Sequence, residues 1–158
     1  MEKHEYKELS ELAANGDTKA FARLYETLYR EMYYTACYAL SDEADAVEAV
    51  TSTVRDGFSA IGKLRSEEAF RTFMMKTLCA RIRSKFREYA AEERSFPEDN
   101  GEFDIMTEFR RLDDTERLIS CLYIGGRFQP DEISAYTGIS LSGVKKKLER
   151  VIAGFELD

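Results

Sequence analysis

Apolar residues recur at helical spacing through most of the chain, and polar residues between them mark where each helix should start and stop. A short helix is predicted over Tyr6–Ala14, ended by Asn15-Gly16, with Asp17 placed to cap a longer one. In that longer helix Phe21, Leu24, Tyr25, Leu28 and Met32 follow i, i+3, i+4, i+7, i+11 spacing, so one stripe should face a core. Tyr29, Tyr33, Tyr34 and Tyr38 broaden the stripe, either as half-buried core tyrosines or as an aromatic stacking platform. Asp42 opens a further helix whose apolar members are Ala46, Val47, Ala49, Val50, Val54, Phe58 and Ile61. Gly62-Lys63-Leu64-Arg65 is a connection, and Ser66-Glu67-Glu68 supplies a cap and an acidic first turn for the next helix. Phe70, Phe73, Met74, Thr77 and Leu78 give that helix a core face, but Arg81 and Lys85 fall where the face would continue. The helix is therefore expected to leave the core near Ala80 and become exposed and basic.

Arg94 through Glu102 carries the breakers Pro97 and Gly101 and an acidic cluster, the composition of a linker. The chain is accordingly expected to form two small helical domains, residues 1–94 and 107–158, joined by an acidic linker over 95–106. Beyond it a helix is predicted over Thr115–Tyr123, with Leu118, Ile119 and Leu122 inward and Gly125-Gly126 as its stop. Pro130-Asp131 begins another, which ends at Thr137-Gly138, and a last one runs from Leu141 to about Ala153. Gly138 stands where the tight corner of a helix-turn-helix needs a positive φ. Ile133, Ile139, Val144 and Leu148 have the spacing that packs the two helices together, and Ser140 can cap the second. That arrangement leaves Ser142, Lys145, Lys146, Lys147 and Arg150 to reach groove edges and phosphates, unless the pair is a helical hairpin that touches only protein.

Charge sharpens this picture. The net charge is −7, which by itself argues against nucleic acid. Its distribution does not, because residues 71–94 carry seven basic and three acidic side chains. Lys76, Arg83, Arg87 and Arg94 recur on a narrow helical stripe with few acids within i±4, either a phosphate-binding line or a solvated salt-bridged face. Chemistry of other kinds finds little support. His4 is the single histidine, so neither a zinc centre nor a histidine-dependent triad can be assembled, and no enzyme or cofactor is expected. Cys37, Cys79 and Cys121 are far apart in apolar runs, as expected of buried free thiols in a reducing compartment. No apolar run suits membrane insertion and Met1-Glu2-Lys3-His4-Glu5 has no apolar leader character, so a cytoplasmic protein is expected.

Two helical domains, a basic helix, an acidic linker and a terminal helix-turn-helix together resemble the bacterial extracytoplasmic-function (ECF) sigma factors. Glu132-Ile133-Ser134, Gly138-Ile139-Ser140, Val144-Lys145 and Leu148-Glu149-Arg150 look like that family's promoter-binding helix-turn-helix. Asn15-Gly16-Asp17, Ala20-Phe21 and Leu24-Tyr25 match its opening, and Asp45-Ala46-Val47-Glu48 through Phe58 resembles the helix that docks on the polymerase clamp. Thr51, Phe73, Ala80 and Ser84 depart from the family's usual glutamine, tryptophan, asparagine and aspartate, so the chain would be a divergent member.

The resemblance implies binding to core RNA polymerase through Asp45, Glu48, Thr51, Ser52 and Arg55. It implies duplex promoter DNA read in the major groove by the last helix, and single-stranded promoter DNA held around Gly62–Ser66, with Lys63 and Arg65 nearby. An anti-sigma factor would be a further partner. Two other functions remain: a helix-turn-helix regulator that does not engage polymerase, and a degenerate paralogue acting by protein interaction.

Overall fold

Each predicted cap closes a helix in the computed structural model, which describes residues 1–40, 42–92 and 112–155. α1 (Lys3–Ala14) ends at Asn15, and Gly16 turns the chain with φ +98°. Asp17 then accepts from the Ala20 amide (3.0 Å) to start α2 (Thr18–Ala39). Asp42 accepts from Asp45 N (2.8 Å) before α3 (Glu43–Ala60), which runs into a single 3₁₀ turn, Ile61–Lys63. Ser66 accepts from Ala69 N (3.0 Å) at the head of α4 (Glu67–Ala91). Such caps satisfy amides that have no intrahelical partner, each worth about 1 kcal/mol.

Asp113 caps α5 (Asp114–Ser120) through the Glu116 amide (2.8 Å). The helix does not stop there but widens into a π turn, Cys121–Gly125, closed by Gly126 N donating to the Cys121 carbonyl (3.1 Å). α6 (Pro130–Thr137) begins with Pro130 at a position that needs no amide donor, and Glu132 accepts from the Gln129 amide (2.9 Å). α7 (Leu141–Phe155) completes the chain, and the described residues contain no strand.

The fold is all-α, with α1, α3 and α4 arranged around α2, the π turn packed on α2, α5 and α6 packed on α4, and α7 packed in turn on α5 and α6. Leu24, Leu28 and Met32 of α2, Phe70, Met74 and Leu78 of α4, and Leu118, Ile119 and Leu122 of α5 and its π turn are essentially without exposed surface and belong to one core. Burying each such side chain contributes about 1.5–3 kcal/mol.

Two sequence expectations are corrected. α4 does not leave the core at Ala80: Ile82, Phe86 and Tyr89 are buried, and Phe86 lies under the Arg117 guanidinium of α5 (5.3 Å to the ring centroid). The charged Arg81 and Lys85 lie beside α3, where Asp56 binds Arg81 and Asp45 and Glu48 bind Lys85. Val47 does not point inward either; it is 45 % exposed, because the buried stripe of α3 is Ala46, Ala49, Val50, Thr53 and Gly57. The tyrosines of α2 divide: Tyr25, Tyr33 and Tyr38 are half-buried, whereas Tyr29 and Tyr34 are exposed. Arg94 and the expected linker over 95–106 lie outside the described residues.

Candidate nucleic-acid interface

The corner between α6 and α7 is built from a few short-range bonds. Gly138 has φ +79° and its amide donates to the Ser134 carbonyl (3.0 Å). Only glycine takes that conformation without steric cost. The Ser134 hydroxyl donates to the Ile139 carbonyl (2.6 Å), and the Thr137 hydroxyl accepts from the Ile139 amide (3.3 Å). Ser140 then accepts from Gly143 N (3.1 Å), which starts α7. Ile133, Val144, Leu148 and Val151 are buried, and α7 packs on α5 and α6.

That packing decides which side chains of α7 are free. Ser142, Lys145, Lys146 and Arg150 are exposed on the side away from Val144 and Leu148. Lys147 is half-buried and turned toward α5, where Asp113 and Glu116 share a hydrogen bond between their carboxyl groups. The shared bond holds Asp113 below the usual carboxylate range and lifts Glu116 above it, and the Lys147 charge further favours ionised Asp113. Sequence spacing gave no sign that Lys147 faces this acidic pair, because the pair belongs to a separate helix.

The stripe on α4 is split. Lys76 and Arg87 are exposed and have no ion pair among the described residues. Arg83 is half-buried and donates to the Thr137 carbonyl (3.1 Å), one residue before the Gly138 corner. Its guanidinium thus holds the end of α6 against α4. Arg117 also lies in this seam, buried, with a hydrogen bond to the Leu112 carbonyl (3.0 Å) and an ion pair with Asp114 (3.4 Å). Burial works against its charge, and Asp114 offsets part of that cost.

Lys63 and Arg65 are exposed on the turn before α4. The Tyr6 hydroxyl donates to the Leu64 carbonyl (2.6 Å) and ties this turn to α1, and burial then pushes the Tyr6 phenol up to about 12. A cavity of about 290 Å³ opens between α1 and the turn, with Lys7, Ser10 and Glu11 on one wall and Gly62, Leu64 and Arg65 on the other.

On α3 the expected contact residues separate into two groups. Glu48, Thr51 and Arg55 line one shallow groove with Glu43, Ala44 and the exposed Val47. Asp45 instead accepts from the Tyr89 hydroxyl and pairs with Lys85 (3.7 Å), and Ser52 lies in the polar cleft between α3 and α4. Glu48 borders both, at 3.2 Å from the Lys85 ammonium. Burial alone would lower the Lys85 pKa, but Glu48, Asp45 and Glu88 outweigh it and the pKa is raised. Val47 was missed as a surface residue because its spacing from Val50, Val54 and Phe58 is itself helical.

No family model and no curated protein matches the sequence. Among solved structures, the structure of CnrH in complex with the cytosolic domain of CnrY is similar, with 20 % identity and a TM-score of 0.72 over 94 % of this chain and 93 % of that chain. This likeness shows an all-α fold shared with that structure. No helix among the described residues is long and apolar enough to cross a membrane.

Proposed function

We propose that the chain is a divergent ECF-type sigma factor that binds core RNA polymerase and directs promoter recognition, melting and transcription initiation. The observation that carries this reading is the left-handed corner at Gly138 joined to α7, whose free side presents Lys145, Lys146 and Arg150. A helix held this way enters the major groove with its first turns nearest the base edges. Ser142, Lys145 and Lys146 stand nearest the bases, and Lys147 and Arg150 nearer the backbone. The groove on α3 around Val47, Glu48, Thr51 and Arg55 supports docking on polymerase, because it sets an exposed apolar side chain among charged ones. Asp45 acts there through the network that holds α3 on α4, and Ser52 lines the cleft beside it. Single-stranded promoter DNA would lie along the turn bearing Lys63 and Arg65, and Lys76, Arg83, Arg87 and Arg94 would bind phosphates. The similar structure of CnrH includes the cytosolic domain of CnrY, and a regulatory protein partner of the anti-sigma kind is part of this proposal. A protein with these partners works in the cytoplasm.

The test is copurification with core polymerase followed by transcription in vitro from a selected promoter pool. The sigma reading requires a stable complex and specific initiation, and absence of copurification with a competent core would remove it. Lys145→Ala should relax sequence preference by about 1–3 kcal/mol at the contacted base pair, whereas Arg150→Ala should weaken binding almost equally across sequences. An upstream footprint left unchanged by Lys145→Ala would refute the groove assignment.

A further inference from the structure

A second cavity, of about 420 Å³, opens on another part of the surface, between α2 and the turn that follows the π turn. Arg30, Glu31, Tyr34 and Tyr38 line one wall, and Ile124–Arg127 the other. Three features of the turn are unusual. It follows a π turn, a local expansion frequent at functional sites. It then places two glycines directly against α2, where a side chain on Gly125 would collide with the Tyr38 ring and the Tyr34 backbone. Arg127 follows with φ +60°, and among the described residues it is the one non-glycine residue with a positive φ. Strain of that kind is retained where the surrounding structure over-determines it, commonly at ligand clamps. Here the strained residue is an arginine that lines the cavity.

The other wall carries a second arginine, Arg30. Arg30 lies over the Tyr34 ring (5.5 Å to the centroid), an aromatic shelf that orients a side chain otherwise exposed. Two arginines lining one cavity bring planar, permanently charged forks that suit a phosphoryl group, whose oxygens each can meet in bidentate fashion. The Glu31 carboxylate in the same cavity would repel a bare phosphate but accepts hydrogen bonds from hydroxyl or amino groups.

We infer that the cavity bounded by Arg30, Glu31, Tyr34 and Arg127 binds a small phosphorylated metabolite, its phosphoryl group between Arg30 and Arg127 and its hydroxyl-bearing part on Glu31. A sugar phosphate and a nucleotide share this chemistry. Since Arg30 belongs to α2 and Arg127 to the loop between the π turn and α6, an occupant ties the two together. Nothing in the site depends on polymerase or promoter binding.

The test is calorimetric titration of the full chain, at constant ionic strength, with ribose phosphate, adenosine monophosphate and inorganic phosphate. Ribose phosphate should bind saturably and more tightly than inorganic phosphate, and should raise the melting temperature. Arg30→Gln should weaken it roughly tenfold or more. Arg127→Gly should do the same while leaving the protein at least as stable, because glycine adopts φ +60° freely. Glu31→Gln should weaken ribose phosphate but strengthen inorganic phosphate, a reversal that simple counter-ion binding does not produce. Tighter binding of adenosine monophosphate than of ribose phosphate would assign the site to nucleotides, and equal binding to sugar phosphates. No saturable binding of either organic phosphate up to about 10 mM, or affinity unchanged in both arginine variants, would overturn the assignment.

Discussion

Gly125 presses against α2 so closely that one added methyl group should be felt. A Cβ built there lies 2.6 Å from Tyr38 Cδ2, 3.0 Å from the Tyr34 carbonyl oxygen and 3.2 Å from the Tyr34 carbonyl carbon. The ring can swing aside, but the Tyr34 carbonyl moves only with α2. Overpacking of this kind costs about 1–3 kcal/mol. Replacing a glycine also recovers up to about 1 kcal/mol of backbone entropy, so Gly125→Ala should lose about 1–2 kcal/mol net. For a chain of this size that lowers the melting temperature by roughly 2–8 °C. Urea and thermal melts followed by far-ultraviolet circular dichroism would measure it. Gly154→Ala is the matched control: its Cβ meets nothing within 4 Å, and it should gain about 0.5–1 kcal/mol as a helical alanine. Combining Gly125→Ala with Tyr38→Leu should restore only part of the loss, since the clash with the Tyr34 carbonyl remains. If Gly125→Ala proves as stable as the parent, or both glycine variants shift stability upward together, the packing of the π turn on α2 is wrong.

Burial pushes the Cys79 thiol up to about 12 from an ordinary value of 9.0, so the folded chain holds a proton that the unfolded chain releases. That contribution is complete below pH 9 and is lost as pH rises toward 12, at about 1.4 kcal/mol per pH unit, so Cys79→Ala should flatten the alkaline slope in urea melts taken across that window; an unchanged slope would contradict the burial. At the helix-turn-helix corner a Cβ on Gly138 meets no atom within 4 Å, so the cost of Gly138→Ala is the backbone's alone, about 1–2 kcal/mol. Gly138→Asn should cost less, because asparagine tolerates the left-handed region, and equal melting temperatures for the two variants would refute that account.

Local signals were legible in the sequence where the physics is local. Asp17, Asp42, Ser66 and Ser140 all cap helices, and Gly138 takes the positive φ expected of it. What could not be read was which faces meet. One apolar stripe implies one neighbour, but α4 is packed on both sides, by α2 and α3 and by α5 and α6, so its apolar residues encircle it and Ala80 marks no exit. The buried side of α3 uses Ala46, Ala49, Thr53 and Gly57, residues too small to register against Val47 as a hydrophobic pattern. Gly125-Gly126 ends the helical run as its sequence implied, but it is also where the π turn touches α2, and nothing in the sequence showed that contact. Arg83 looked free because its partner, the Thr137 carbonyl, is a backbone atom 54 residues further along.

The Arg83 bond also bears on how the two proposed DNA contacts can be separated. α7 is held by α5 and α6 and keeps Lys145, Lys146 and Arg150 exposed while Arg83 is bound to Thr137. Recognition of duplex by α7 therefore needs no change in the seam between α4 and α6. One nitrogen of Arg83 is committed to the Thr137 carbonyl, so its remaining donors can meet only a phosphate lying beside the end of α6; a phosphate placed elsewhere would cost that bond, and the end of α6 would then need another donor or water. Lys76 and Arg87 face no such exchange. Within the one basic stripe, substitution of Lys76 or Arg87 should act on DNA binding alone, whereas substitution of Arg83 acts on the packing of α6 as well. The proposed phosphate role is thus carried more directly by Lys76 and Arg87 than by the residue at the centre of the stripe.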